Sequence, residues 1–439
     1  MKKVHFTSLG CPRNWVDTEI MMQKVMSSGY SITAKEREAD VLIVNTCGFL
    51  EEARLEAEKV IDTLLKLKKP HAKLIACGCM VQKFASVLQN KFKDRIHYLI
   101  GAGDLEEIIQ AIEHKESGSI ITEKRSFIAK VNQRFIATPK HYAYLKIAEG
   151  CLKRCSYCLI PQIKGPLKSK TISQIVEEFK SLLAQGVFEV ILIAQDLTDF
   201  GKDLHNKNAL RELLKDLIKV KGDFWLRLMY VYPDNLSDEL IQIMASDARI
   251  CPYLDMPLQH INDRILKLMR RSTTKKQIYS VIENCRKYIP GIAIRTSLIV
   301  GFPGETEKEF LELKNFLKEV TLDHVGIFSY SREKGTLSYD LPGQIEEKIK
   351  KARVQEIALF QQKIVGKKNK QLLGKTVQVL VDGYHPDSDL LLQARSQKQA
   401  PQIDSCYIIN DLSSIEEFGK KYSVKVMSVL GYDLLCQIE

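Results

Sequence analysis

Short apolar runs alternate along this chain with longer segments that repeat every three to four residues. The runs Val4–Ser8, Ala39–Asn45 and Lys73–Ala76 have the length of strands, and segments beginning near Asn14, Glu51 and Val81 have the period of helices. Such alternation predicts a doubly wound parallel sheet with right-handed crossovers over residues 1–113. In a sheet of that kind the strand carboxyl ends share one edge, and that edge carries the site. Residues 114–140 lose the period and read as a linker.

The alternation resumes at Tyr142. Strands are expected at 144–149, 189–195, 225–230, 253–256, 292–300 and 325–329, with helices between them. The first of these helices is plain: Ile172, Ile175, Val176, Phe179, Leu182 and Leu183 form one apolar stripe. Six β/α units predict a partial TIM-type barrel, and the domain is expected to run over 141–370, closing with a helix from about Gln344 to Lys370. Beyond it the pattern shifts to β-rich runs at Thr376–Val381 and Tyr422–Leu430, broken by Gly, Pro, Asp and Ser turns. Residues 371–439 therefore predict a small, OB-like β-barrel.

Composition narrows the class. With 45% hydrophobic and 27% charged residues, the 439-residue chain is ordinary for a globular protein of two to four domains. No apolar run is long enough to cross a membrane, and Met1-Lys2-Lys3-Val4-His5 has no apolar stretch behind its lysines, so a cytoplasmic protein without a membrane partner is expected. The net charge of +11 is spread widely, as in solvated lysine faces, while residues 371–439 carry 6 basic against 9 acidic side chains.

Eleven cysteines change the picture. In a reducing compartment they speak for metal chemistry rather than disulfides. Cys151, Cys155 and Cys158 stand within Gly-Cys-Leu-Lys-Arg-Cys-Ser-Tyr-Cys, directly after the first barrel strand. Three thiols at this spacing suit an iron–sulfur cluster with one open iron. A zinc site would need a fourth, distant ligand, and three buried hydrophobic thiols are the bland alternative. Cys11, Cys47 and Cys79 follow three successive strands of the first sheet and so converge on one edge. The other five, Cys77, Cys251, Cys285, Cys406 and Cys436, read as core or incidental. Further residues at barrel strand ends are Gln195, Asp196, Gln259, His260 as a candidate base, and the loop Gly301-Phe302-Pro303-Gly304-Glu305-Thr306, whose glycines suit backbone approach to a cofactor.

The Cys-x-x-x-Cys-x-x-Cys spacing resembles that of the radical S-adenosylmethionine (SAM) enzymes. Ser-Leu-Gly-Cys-Pro-Arg-Asn, Val-Asn-Thr-Cys-Gly, Ala-Cys-Gly-Cys-Met-Val-Gln, Pro-Leu-Gln-His and Val-Gly-Phe-Pro-Gly-Glu-Thr resemble one branch of them, the methylthiotransferases. The likeness runs over essentially the whole chain, ending in a segment similar to a TRAM domain. It implies two [4Fe-4S] clusters: one on Cys151, Cys155 and Cys158, whose open iron binds SAM and whose reduction cleaves it to a 5′-deoxyadenosyl radical, with Tyr157 beside the cofactor. The other, on Cys11, Cys47 and Cys79 rather than Cys77, would hold the sulfur to be inserted, a second SAM supplying the methyl group. Catalytic acids or bases are left unassigned.

Within the family, Ser-Leu-Gly-Cys-Pro-Arg-Asn, Ile-Ala-Gln-Asp and Pro-Leu-Gln-His resemble the enzymes that methylthiolate the β-carbon of an aspartate in small-subunit ribosomal protein S-twelve. Those acting on tRNA adenosine usually differ at these places, and tRNA remains the alternative substrate. The resemblance also implies a reductant protein such as flavodoxin or ferredoxin. Lys164, Lys168 and Lys170 stand where arginines are usual in the protein-modifying branch, which removes any bidentate contact there. A non-catalytic, metal-stabilised RNA-binding protein is the alternative from another class, and it leaves the barrel pattern without a purpose.

Overall fold

The computed structural model describes residues 1–123, 125–129 and 134–439. Its first unit is a six-stranded parallel sheet of β1 (Lys3–Ser8), β2 (Ser31–Ile32), β3 (Val41–Thr46), β4 (Lys73–Gly78), β5 (Tyr98–Gly101) and β6 (Gly118–Ile120), in the order β2-β1-β3-β4-β5-β6. Helices α1 (Pro12–Ser27) and α4 (Ile108–Glu113) cover one face, and α2 (Glu51–Leu67) and α3 (Cys79–Phe92) the other. The strands obey a simple rule: Val41 and Ile43 pack toward α1 and α4, while Leu42 and Val44 pack toward α2 and α3. Both faces are buried, which is why β3 reads as a continuous apolar run. The doubly wound expectation holds. The sequence pattern passed over β2, β5 and β6, and β6 falls within the expected linker 114–140. The other described residues of that stretch form no helix or strand, and positions 124 and 130–133 of it lie outside the described residues.

The central unit is a half-open barrel. Its parallel strands β7 (Tyr142–Lys146), β10 (Glu189–Ile193) and β11 (Trp225–Leu228) form one sheet, and β12 (Tyr253–Asp255), β13 (Ala293–Val300) and β14 (His324–Ser329) another. A bridge between Leu226 and Ile250 and the bond from Val231 N to Asp255 O (2.8 Å) join the halves. The short pair β8 (Ala148–Glu149) and β9 (Lys168–Ser169) brackets the loop 150–167, which contains α5 (Ile160–Lys164). Outside the strands lie α6 (Ile172–Ala184), α7 (Ala209–Ile218), α8 (Asp238–Ala245), α9 (Asp263–Leu268), α10 (Lys275–Tyr288), α11 (Glu307–Val320) and α12 (Glu347–Lys370). Capping boxes start α6 at Thr171, α10 at Thr274 and α11 at Thr306, so each begins at a defined residue after its loop.

The concave side of this barrel is not empty. Val16, Ile20 and Met21 on α1 belong to the same apolar cluster as Tyr142, Tyr144, Ile191 and Ile193. The amino-terminal ends of the strands are closed from the other side by the last unit, a closed barrel of β15 (Thr376–His385), β16 (Ser388–Arg395), β17 (Tyr407–Ile409), β18 (Lys421–Leu430) and β19 (Asp433–Ile438). Its 395–406 connection reaches into the central barrel. Buried Arg395 pairs with Glu189 at the start of β10 and with Asp382 (2.7 Å), Arg227 donates to Gln397 O (2.8 Å), and Tyr253 OH donates to Asp404 (2.7 Å). The end opposite the cysteines is thus sealed by ion pairs.

Removing one partner of a buried pair strands the other charge. Arg395→Ala is expected to destabilise the protein by about 3 kcal/mol, read as a lower urea midpoint, and adding Glu189→Gln should recover part of the loss. An unchanged midpoint in Arg395→Ala would contradict this account of the seal.

Candidate functional site

Strand order explains where the first thiol triad gathers. The strand order reverses between β1 and β3, and the crevice outside such a switch point is where open α/β sheets bind ligands. Cys11 follows β1 and caps α1, Cys47 follows β3, and Cys79 opens α3. The three backbones are tightly drawn together: a Cβ at Gly10 would stand 2.7 Å from Cys47 Cβ, and one at Gly48 would stand 2.8 Å from Met80 N. Asn14 ties them further, its amide donating to Leu9 O (3.1 Å) and Thr46 O (3.2 Å) while its carbonyl accepts from Cys79 Sγ (3.5 Å). Cys77, on β4, packs instead among Ile75, Ile100 and Tyr98. The structure therefore brings Cys79, not Cys77, to Cys11 and Cys47.

The second triad lies on the loop clamped by β8 and β9. Gly150 has φ +80, and a Cβ there would stand 2.0 Å from Pro166 O, so only glycine lets the two sides of the loop close. Cys151 N then donates to Gly165 O (3.2 Å). Ser156 anchors the far side, its amide and hydroxyl donating to Met269 O and Leu268 O and its carbonyl accepting from Ser338 N. Lys153 N and Ile160 N each donate to a sulfur, Cys151 Sγ and Cys158 Sγ, at 3.4 Å, and Arg271 approaches Cys155 Sγ at 4.0 Å. Tyr157 packs against the cluster of Ile265, Met269, Phe302 and Tyr330, beneath the loop.

Burial pushes the Cys79 and Cys158 thiols up to about 12 and Cys151 to about 11, with neighbouring cysteines adding to the rise for Cys158 and Cys151. Thiols raised in this way give up their protons readily only when a cation takes the sulfur. Amide donors aim at Cys151 Sγ and Cys158 Sγ, while Cys11 and Cys79 stand at helix N-termini, and both settings favour thiolate sulfur. All eleven cysteines are free, and among the described residues no three His, Cys, Asp or Glu side chains are gathered closely enough for a single metal ion.

A buried charge chain lies between the triads. Asp17 on α1 pairs with Lys146 and with Lys164 (3.3 Å), and Glu149 pairs with Lys146 (2.8 Å) and Lys164 (3.4 Å) while accepting from Gln195 Nε2. Burial opposes the charge on Glu149, yet the two ammonium groups hold its carboxyl well below the ordinary range. Arg13, two residues after Cys11, crosses to the barrel, donates to Ala194 O (2.8 Å) and lies over the Tyr230 ring (5.1 Å). Neither the chain nor this crossing is legible in the sequence. The one signal available was that Arg13 and Asn14 share the Cys11 motif.

Other expected residues find definite roles. Asp196, Asp199 and Asp234 surround Lys153 (3.4, 3.9 and 2.5 Å), which ties the cysteine loop to the ends of β10 and β11. His260 is not a free base: it is fully buried, its Nδ1 accepts from Asn262 N (3.0 Å), and its Nε2 meets Glu305 (3.1 Å). Glu305 in turn accepts from Gly301 N and pairs with Arg353 on α12 (2.8 Å), so the Gly301–Thr306 loop is held by its own carboxylate and covered by α12. Of the three lysines standing for arginines, Lys164 is in the charge chain, Lys170 pairs with Glu178, and Lys168 is exposed. Tyr230 and Gln259, both non-glycine residues with positive φ (62° and 73°), mark the ends of β11 and β12 as strained, as functional sites commonly are.

Burial, then the neighbouring Asp199, raises the Asp196 carboxyl to about 6. Because that is above its unfolded value, the folded protein binds the extra proton between about pH 4 and 6, and Asp196 costs stability as pH rises through that window. Asp196→Asn in metal-free protein is expected to raise the thermal midpoint at pH 7 relative to wild type and to narrow that gain below pH 5. A gain that is the same at both pH values would contradict this.

Comparison with known proteins identifies the three units. Residues 3–101 match the uncharacterized protein family UPF0004, residues 145–317 the Radical SAM superfamily and residues 373–438 the TRAM domain. The chain is 51% identical over 436 residues to the ribosomal protein uS12 methylthiotransferase RimO of Protochlamydia amoebophila, covering 99% of this chain and 92% of that protein. It is 49% identical to the RimO of Chlamydia abortus (99% and 95%) and 40% identical to that of Geotalea uraniireducens (100% and 98%). Among solved structures, its fold is similar to the radical S-adenosylmethionine methyltransferase TsrM of Kitasatospora setae, described with cobalamin and a [4Fe-4S] cluster bound. That match has a TM-score of 0.56 and 15% identity over 75% of each chain.

Proposed function

The chain belongs to the RimO family of ribosomal protein uS12 methylthiotransferases, and from that premise we propose that it replaces a hydrogen on the β-carbon of a uS12 aspartate by a methylthio group. We assign one [4Fe-4S] cluster to Cys151, Cys155 and Cys158 and a second to Cys11, Cys47 and Cys79, with SAM on the open iron of the first. The division of labour follows residues 1–113 for the sulfur-bearing cluster, 141–370 for the SAM cluster and 371–439 for the TRAM domain. The observation that carries the reading is the pairing of two thiol triads across one seam, each at the carboxyl edge of its own parallel sheet.

An unactivated C–H offers neither a leaving group nor useful acidity, and the loaded cluster with SAM supplies the reductive cleavage and hydrogen abstraction that such a carbon requires. The chain's own groups do the rest. Lys153 N, Ile160 N and Arg271 turn donors toward the three sulfurs of the SAM-side triad, which favours their charged form. Ser156 and the β8–β9 clamp fix the loop. Asn14 orients the facing triad, and Lys164 places a buried positive charge near Cys79. A small reductant protein such as flavodoxin or ferredoxin would supply the electron. No helix among the described residues is long and apolar enough to cross a membrane.

Reconstituted protein is expected to hold close to eight irons. Cys79→Ala should lose the first-domain cluster and methylthiolation while still cleaving SAM, and Cys77→Ala should keep both clusters. Iron and sulfide analysis with 5′-deoxyadenosine assay reads the difference, and the reverse pattern would transfer the ligand role to Cys77. For the substrate, mass spectrometry of uS12 and of tRNA nucleosides after anaerobic turnover should show the methylthio gain on uS12. The tail's 6 basic against 9 acidic side chains favour a basic protein over phosphate. A gain found solely on tRNA adenosine would overturn the reading.

A further inference from the structure

The cations at the seam are almost all neutralised. Lys146 and Lys164 pair with Asp17 and Glu149, Lys153 with Asp196, Asp199 and Asp234, and Arg295 with Asp255 (2.7 Å) and Asp404 (3.3 Å). Arg13 and Arg271 are the exceptions, and Arg271 is taken up by Pro257 O (2.8 Å), the Tyr232 ring (4.1 Å) and Cys155 Sγ (4.0 Å). The contacts of Arg13 are neutral, the Ala194 carbonyl and the Tyr230 ring, and among the described residues no carboxylate lies within ion-pair distance of it. It is nevertheless held firmly, because α1 fixes its backbone, Ala194 O takes one Nη1 hydrogen, and the strained Tyr230 backbone sets the ring beneath it. It stays partly accessible, and its remaining N–H groups have no protein partner among the described residues. Burial opposes its charge while Cys11, Tyr230, Glu149 and Cys79 favour it, and its open N–H groups can still take an anion.

Its position suits one anion well. Arg13 follows Cys11 by two residues and touches Ala194, the residue before Gln195, which bonds Glu149 at the root of the Cys151 loop. It lies near enough to both triads for its charge to be felt at Cys11 and Cys79 of one and at Cys158 of the other. In an aspartate the reacting β-carbon carries the carboxylate directly, so fixing the carboxylate fixes the carbon within one bond length. The planar fork of arginine matches a carboxylate through two parallel hydrogen bonds, which a lysine cannot reproduce.

We propose that Arg13, braced by Ala194 O and the Tyr230 ring, binds the side-chain carboxylate of the aspartate being modified and so positions its β-carbon between the triads. This rests on the aspartate methylthiotransferase reading above. It makes Arg13 the selectivity residue for an acidic over an amide side chain.

The test is a cycle across enzyme and substrate, using reconstituted full-length protein. Wild type, Arg13→Gln and Arg13→Lys are each assayed on uS12 and on uS12 carrying asparagine at the modified position, which mass spectrometry of the wild-type product locates. Wild type should favour aspartate in kcat/KM by at least about tenfold, and Arg13→Gln should lose most of that preference. Arg13→Lys should recover part of it. Iron content, 5′-deoxyadenosine release without uS12, and the KM for SAM should stay at wild-type levels in both variants. An unchanged preference in Arg13→Gln overturns the assignment. So does a loss that tracks iron content, which would make Arg13 a partner of the first-domain cluster, or a rise in the SAM KM alone, which would give it the SAM carboxylate instead. If wild-type enzyme leaves uS12 unmodified, the functional reading fails first and takes this assignment with it.

Discussion

Four charges buried where the first sheet meets the barrel decide how this protein is assembled. Asp17, Lys146, Glu149 and Lys164 are each 2% exposed or less, and they sum to zero. Asp17 comes from α1 and the other three from the barrel and its cysteine loop, so neither unit can bury its share without the other. Such pairs do little for stability beyond what apolar contacts would provide, because desolvation offsets most of the attraction. What they do is penalise every wrong docking, since a shift of one residue would strand a charge in the interior. The two thiol edges face each other in one register as a result.

The same logic operates at the opposite end. Glu189, Arg227 and Arg395 are buried at the amino-terminal ends of the strands, and the last β-barrel completes their charge balance. The central barrel is thus sealed below by ion pairs from the C-terminal unit and filled from the concave side by α1. Its carboxyl ends, with the cysteine loop, Gln195, Tyr230 and Gln259, are left as the region where the chemistry collects, which is the end where barrels of this kind carry their sites. Glu305, His260 and Arg353 serve this arrangement by holding the Gly301–Thr306 loop against α12 rather than by acting on a substrate.

Much of this was legible in the sequence, for a reason visible strand by strand. β3, β10 and β13 are buried on both faces or nearly so, and burial demands apolar residues, so composition alone announces them. β2 and β6 are two and three residues long at the sheet's edges, where pairing is a matter of backbone hydrogen bonds that any side chain permits. They left no pattern to read. Likewise β16 and β19 close the last barrel through backbone pairing with partly exposed side chains, and only the flanking β15 and β18 stood out.

What the sequence by itself determined is the chemistry and the order of the parts. Thiols are rare, reactive and recognisable by spacing, and a cysteine placed just after a predicted strand has a predictable edge to sit on. The tertiary structure alone decided which cations beside the thiols remain, among the described residues, without a carboxylate partner. Arg13 is one of 65 basic residues, and its place in the Cys11 motif did not say whether it would pair, just as His260 looked as available as any histidine at a strand end. Whether a charged side chain is satisfied depends on neighbours more than a hundred residues away, such as Ala194 for Arg13 and Asp17 for Lys146. That information exists only once the chain has folded, because electrostatic energy follows distance in space and not separation along the sequence.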